Sequence, residues 1–212
     1  MKIVVAAPDH QWNELTGLRT TIDWQRVDAV SAFTDYKNAD AFFSLHYNNN
    51  LAEFESLKKP VFINSVVQTL ADLVAPENVY RINGWPTFLK RSVWEIATTI
   101  TPHTSANENV ASVFKALSIK INIVKDEPGF ISARIIAMII NEGYLAVEDN
   151  VSSKAEIDTA MKLGTNYPYG PFEWAKLIGL NNILALLQKL NSTDTRYLPS
   201  QLLIKEVKEN KE

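Results

Sequence analysis

Residues able to do acid–base or nucleophilic chemistry are few and scattered in this chain of 212 residues. The three histidines, His10, His46 and His103, are widely separated and have no metal-ligand spacing, so each reads as an ordinary surface or half-buried imidazole. Ser44, Ser65 and Ser105 lack the context of a nucleophile elbow. Cysteine is absent, which removes thiolate nucleophiles, disulfides and the usual structural zinc sites, and no metal is expected. Glu95, between Trp94 and Ile96, sits where period-two alternation points a carboxylate out of a half-buried strand. Two dense patterns remain. One is Pro128-Gly129-Phe130-Ile131-Ser132-Ala133-Arg134; the other runs from Ile157-Asp158 through Ala160-Met161 and Gly164 to Tyr167-Pro168-Tyr169-Gly170-Pro171-Phe172-Glu173. Their glycines and prolines read first as devices for close backbone approach and fixed chain direction.

The elements that would position these residues fall into two halves. Residues 3–7, 41–45, 61–63, 79–82 and 121–124 are apolar runs near turn-formers, as expected of buried strands. Helical patterns lie between them. In one, Ser105 and Glu108 form a capping-box pattern, and Val110, Val113, Phe114 and Leu117 share a face. Alternating strands and helices predict an open, mostly parallel sheet. From Pro128 the period becomes helical: Pro128 suits a first turn, with Ile131, Ile135, Met138 and Ile139 as the apolar stripe. The next helix opens with a Ser153/Glu156 capping box and closes at Gly164, where a left-handed residue is needed. Pro171 starts a third, with Gly179 after it. Residues 180–190 form an apolar fourth, suited either to a dimer face or to a buried core, and Pro199 starts the last. The predicted division is 1–126 and 127–212.

A formal charge of −3 with both signs dispersed gives no basic stripe, so a nucleic-acid partner is not expected. No apolar run approaches the roughly 20 residues of a membrane span. Asp9 and His10 interrupt residues 3–7 too early for a signal-peptide core, which makes the cytoplasm the expected location. Asn48-Asn49-Asn50 reads as a loop and helix cap. The aromatic set from Trp85 to Trp174 reads first as core.

In order and spacing, the two dense patterns resemble the helical domain of the L-3-hydroxyacyl-CoA dehydrogenase family, whose sequence reads PGFxxNR and then IDxAMxxGxxxPxGPFE. The resemblance implies a shortened Rossmann-like, doubly wound sheet, α/β in class. An all-α domain of the 6-phosphogluconate-dehydrogenase-like type follows it, and through that domain family members pair as dimers. It also implies NAD and an acyl-CoA-type ligand, yet the residues depart from the family where these would bind. After the first strand, Pro8-Asp9-His10-Gln11-Trp12 stands in place of a glycine-rich turn. Pro8 removes a donor, Asp9 puts a negative charge where phosphate would lie, and Trp12 is too large for close backbone contact. Asp28 is placed as a ribose acceptor or as a plain surface carboxylate.

The family's Gly-Leu-His-Phe-Phe-Asn-Pro segment aligns on Gly84 with Gly84-Trp85-Pro86-Thr87-Phe88, which puts Pro86 at the position of the catalytic histidine. Glu95 matches the glutamate that holds that histidine, and is either the remnant of the dyad or the outward strand residue described above. Ile63-Asn64-Ser65-Val66-Val67 matches a Ser-Asn-Thr-Ser-Ser segment, keeping Asn64 as a cofactor-binding candidate and replacing donors with valine. The family's asparagine in PGFxxNR is Ala133. Its long helical arm after the second strand has only residues 28–38 to occupy it. The expectation is a dehydrogenase-like protein of fatty acyl-CoA metabolism, without NAD, its activity lost or much reduced, serving as a dimeric binding or regulatory module. The alternative is an active NAD-dependent oxidoreductase with a non-standard cofactor site. A third possibility is half of a split enzyme completed by another chain.

Overall fold

The computed structural model describes residues 1–17, 19, 21–46, 51–99 and 105–210, with the backbone alone at 105–107. His103, Asn48-Asn49-Asn50 and the side chain of Ser105 lie outside the described residues. The chain divides into two compact units, Met1–Phe130 and Ile131–Glu212. The division falls within the Pro128-Gly129-Phe130 pattern, a few residues beyond 126.

The first unit holds strands β1 (Lys2–Ala6), β2 (Asp23–Val27), β3 (Ala41–Ser44), β4 (Val61–Asn64), β5 (Val79–Ile82), β6 (Val93–Ala97) and β7 (Lys120–Val124). They pair in the order β2-β1-β3-β4-β5-β6-β7, so β2 and β7 are the edges. Every pair is parallel except β5–β6. The sheet crosses over at β1, with β2 on one side and β3 on the other, which makes the carboxyl ends of β1 and β3 the switch point where such folds place ligands. Helix α1 (Asp9–Thr16) follows β1, and α2 (Ser105–Ala116) precedes β7.

Both faces of the sheet are covered, which is why its central strands are continuous apolar runs. Ile3 and Val5 point to the face shared with Leu15, Val110, Val113, Phe114 and Leu117. Val4 and Ala6 point to the opposite face, packed with Phe33, Phe42 and Phe54. Phe62 is wholly buried, with ring centroids 4.8 Å from Phe43 and 5.0 Å from Phe114. Emptying that position would cost about 3–5 kcal/mol. Strand β2 was not among the expected runs because Asp23-Trp24-Gln25-Arg26-Val27 is an edge that needs no second apolar face.

The second unit contains α3 (Ser132–Glu148), α4 (Lys154–Thr165), α5 (Pro171–Ile178), α6 (Leu180–Asn191) and α7 (Gln201–Glu209). Its apolar faces correct several expectations. Helix α3 buries Ala133, Ile136, Ala137, Ile140 and Tyr144, whereas Ile131 and Ile135 are about half exposed. The small residues, not the isoleucine stripe, face α5, α6 and α7, because short side chains allow close helix approach. Pro128 lies before α3 rather than in its first turn. Gly164 lies inside α4, and the left-handed residue that ends the helix is Asn166, at φ 56°. Pro199 precedes the N-cap Ser200, whose hydroxyl accepts from the Leu203 amide at 3.2 Å. Helix α6 is a core helix, with Ile183, Leu184, Leu186, Leu187 and Leu190 all buried.

Capping fixes how these helices join. Asn141, 2 % exposed, donates to Leu198 O at 3.0 Å and accepts from Ser200 N at 2.8 Å, pinning the turn before α7. Asp158 on α4 accepts from the backbone amides of Phe172 (2.8 Å) and Glu173 (3.2 Å), so a carboxylate from one helix satisfies the orphan donors of the next. Gly170 makes that contact possible, since a Cβ there would stand 2.2 Å from Asp158 Oδ1. Glu173 accepts from Gly170 N at 3.0 Å and pairs with Lys162, which holds its carboxyl below the usual range. Asp158, Gly170 and Glu173 of the second pattern thus form one interhelical cap.

Gly170→Ala should destabilise the helical unit by about 1–3 kcal/mol, and Asp158→Ala by about 0.5–2 kcal/mol, both read by urea denaturation. The Ser153/Glu156 box gives a pH signature. Hydrogen bonds from the Ser153 hydroxyl, the Ser153 amide and the Ser152 hydroxyl lower the Glu156 carboxyl from 4.5 to about 2. A depressed folded-state value means the stabilisation is complete above 4.5 and disappears as the pH falls towards 2. Thermal melts across that window should show an acid loss that Ser153→Ala reduces.

Candidate functional site

The carboxyl edge of the sheet is where a nucleotide and a reacting group would meet in this fold, and its loops are largely engaged with one another. Helix α1 begins at the switch point, but its N-cap is Pro8, with no side-chain cap, and Asp9 occupies the first turn. Asp9 pairs with Arg26 at 2.6 Å, and Arg26 also donates to Ala7 O at 2.9 Å. The Arg26 guanidinium lies 5.5 Å from the Trp12 ring, whose centroid is 6.3 Å from that of Trp24. A pyrophosphate laid on this helix start would meet a carboxylate and an indole instead of bare amides. Two like charges about 4 Å apart repel by about 1 kcal/mol in water and by more where water is excluded. Asp28 is exposed.

The loop after β5, which carries the position of the expected base, is held at three points from the α1 side. Gln11 Nε2 donates to Gly84 O at 2.5 Å. The Glu14 carboxylate accepts from Thr87 N with both oxygens, at 2.7 and 2.9 Å. Arg19 Nη2 donates to Leu89 O at 3.0 Å, beneath the Trp94 ring at 5.5 Å. Gln11 and Arg19 are buried, and burial pushes the Arg19 pKa down. Thr87 adopts φ 78°, a left-handed torsion made tolerable by the acceptors that Glu14 supplies. Pro86, half-buried, lies between two of the three ties.

Asn64 and Glu95 are placed differently. Asn64, at the end of β4, accepts from Gly84 N at 3.0 Å, and a Cβ on Gly84 would meet its side chain at 2.8 Å. Its amide oxygen is therefore engaged with the same loop. Glu95 is half-buried on β6, while its neighbours Trp94 and Ile96 are buried in the core. Burial lowers the Arg91 pKa, and the negative charges of Glu95 and Glu14 oppose that shift. The Arg91 guanidinium is stacked 3.9 Å from the Phe88 ring. His10 and His46 are exposed. Among the described residues no group of three or more His, Asp or Glu could hold a metal, and no helix is long and apolar enough to cross a membrane.

The residue that organises this edge is one that sequence reasoning missed. Arg81 on β5 is fully buried; Nε donates to Ser65 O at 2.8 Å and Nη2 to Val66 O at 3.3 Å. Its Nη1 pairs with Asp126, whose other oxygen accepts from Ala71 N at 3.2 Å. The guanidinium also lies 4.6 Å from the Phe130 ring. Burial lowers the Arg81 pKa, and the Asp126 hydrogen bond and charge oppose this. Gly129 N donates to Val66 O at 2.8 Å, so the Pro128-Gly129-Phe130 turn, with φ 83° and 50° at its last two residues, is stitched to the loop after β4. The only sequence signal was an arginine inside an otherwise apolar strand, paired with an acid far along the chain.

Residues 129–212 match the 3-hydroxyacyl-CoA dehydrogenase C-terminal domain. The likeness to that family is thus carried by the helical half of the chain. A 3-hydroxyadipyl-CoA dehydrogenase of Escherichia coli (strain K12) is 46% identical over 82 residues, 38% of this chain and 17% of that protein. A 3-hydroxybutyryl-CoA dehydrogenase of Clostridioides difficile is 45% identical over 89 residues, 41% of this chain and 32% of the relative. The matched stretch thus spans a third or less of these relatives. In fold, the (S)-3-hydroxybutyryl-CoA dehydrogenase from Ralstonia eutropha superposes with a TM-score of 0.76 at 18% identity, covering 99% of this chain and 94% of that one. A Rossmann-like sheet followed by a helical domain is therefore the architecture, and the family-model match lies within residues 129–212.

Asp126→Ala should cost roughly 3–5 kcal/mol in chemical denaturation, because it leaves Arg81 charged and buried without its counter-ion. Glu14→Ala should cost about 1–3 kcal/mol by stranding the Thr87 amide.

Proposed function

We propose that this chain is a 3-hydroxyacyl-CoA dehydrogenase-like protein related to fatty acyl-CoA metabolism whose NAD-dependent activity is lost or much reduced. It acts as a dimeric binding or regulatory module. The observation that carries this reading is the three-point tie of the Gly84–Leu89 loop to Gln11, Glu14 and Arg19, with Pro86 at the position of the base. Proline cannot accept a proton, and the loop's backbone groups are engaged with α1, the helix that would otherwise cradle a nucleotide. The Asp9–Arg26 pair at the start of α1 does not fit a pyrophosphate in the usual pose. A single half-buried carboxylate, Glu95, does not replace a base, a glycine turn and a set of donors together.

Pairing as a homodimer through the helical unit is part of this proposal. It is supported by α4, a helix of 12 residues with no buried residue, on which Leu163 is 83% exposed. A helix that leaves Leu163 uncovered and only partly covers Ile157 and Met161 within its own chain is suited to covering them against another copy.

Titration with NADH, followed by cofactor fluorescence, should give no response below millimolar concentration; micromolar binding would favour an active enzyme with a non-standard site instead. Acetoacetyl-CoA reduction should be undetectable, and Pro86→His alone should not restore it. Light scattering at micromolar concentration should give the mass of two chains, and a mass of one would remove the dimer. Copurification of a second chain bearing a glycine-rich turn would favour the split-enzyme reading.

A further inference from the structure

A cavity lies at the opposite edge of the sheet from the candidate site. It has a volume of about 650 Å³ and opens at the amino ends of β4 and β5, where Pro60 precedes one strand and Asn78 the other. Cavities of roughly 300–1,000 Å³ are the size that takes small molecules. Its walls are built. Asn78 donates to Phe54 O at 2.7 Å and to Lys59 O at 3.0 Å, tying the segment before β5 to the segment before β4. Pro60, Ala75 and Pro76 supply an apolar lining.

Tyr80 also lines the cavity, although the residue is only 2 % exposed. Its ring is held in the core, 5.5 Å from that of Phe62. A phenol hydroxyl at a cavity wall can donate one hydrogen bond to a ligand acceptor. Burial raises the Tyr80 pKa, so the group is a neutral donor throughout the physiological range. At the rim stand two ammonium groups, Lys58 and Lys59, and two carboxylates, Glu55 and Glu77. Either ammonium can pair with one negative charge, while the two carboxylates repel the further charges of a polyphosphate.

We propose that this cavity is a binding site for a small organic monoanion with an apolar body. The acceptor group of the ligand receives the Tyr80 hydroxyl hydrogen bond, and its body lies against Pro60, Ala75 and Pro76. The site is distinct from the switch point and is independent of whether dehydrogenase activity survives.

Benzoate is a suitable probe, with ATP as the polyanionic comparison, and the readout is the 15N–1H shift of the Ala75, Glu77 and Asn78 amides in the full chain. Benzoate should move these amides saturably, Tyr80→Phe should weaken it by about tenfold while leaving the fold intact, and ATP should leave the same amides unmoved. Lys59→Met, a surface change, should weaken benzoate by a few-fold. No saturable shift up to about 50 mM benzoate, a range that reaches weak fragment affinities, would overturn the proposal. Equal affinity in Tyr80→Phe, or ATP binding as well as benzoate, would overturn it too.

Discussion

Arg81 imposes the constraint around which the first unit is arranged. A guanidinium with no exposed surface is tolerable only if its five donors and its charge are met, and desolvation of even one ion costs several kcal/mol. The chain meets them from two distant places: the carbonyls of Ser65 and Val66 after β4, and Asp126 before the helical unit. Once those groups converge, the loop after β4 has little freedom and Phe130 is held in an unusual left-handed torsion beneath the cation. The position of Asn64 follows as well, since it lies between this network and the Gly84 amide.

A second device, the Asp158/Gly170/Glu173 cap, works in the same way within the helical unit, with a carboxylate satisfying the first amides of a neighbouring helix. Such caps contribute whether or not any reaction takes place. This accounts for a family signature that is dense in the helices and sparse at the sheet edge. Residues whose role is to close a fold are retained by folding itself, whereas glycines that admit a phosphate serve only a bound ligand.

Much of the architecture was legible because buried parallel strands write themselves as apolar runs, and residues 79–82 were read to the residue. Other features were illegible for physical reasons. Strand β2 is a polar edge. The buried face of α3 is made of alanine and glycine as much as isoleucine, so an apolar count chose the wrong side. Asn166 tolerates the left-handed torsion that glycine was expected to supply. At the candidate site, Pro8 and Asp9 at the start of α1 could be read directly. The ties from Gln11, Glu14 and Arg19 could not, because they join residues about seventy positions apart and leave no local pattern.

The two edges of the sheet carry a consequence for behaviour at high concentration. Strand β2 ends the sheet with Asp23, Gln25 and Arg26, and β7 ends it with Lys120 and Asn122. Charges along an edge make it a poor template for another strand, since docking would desolvate them. The sheet is self-terminating, so crowding of folded molecules does not readily recruit further strands at these edges.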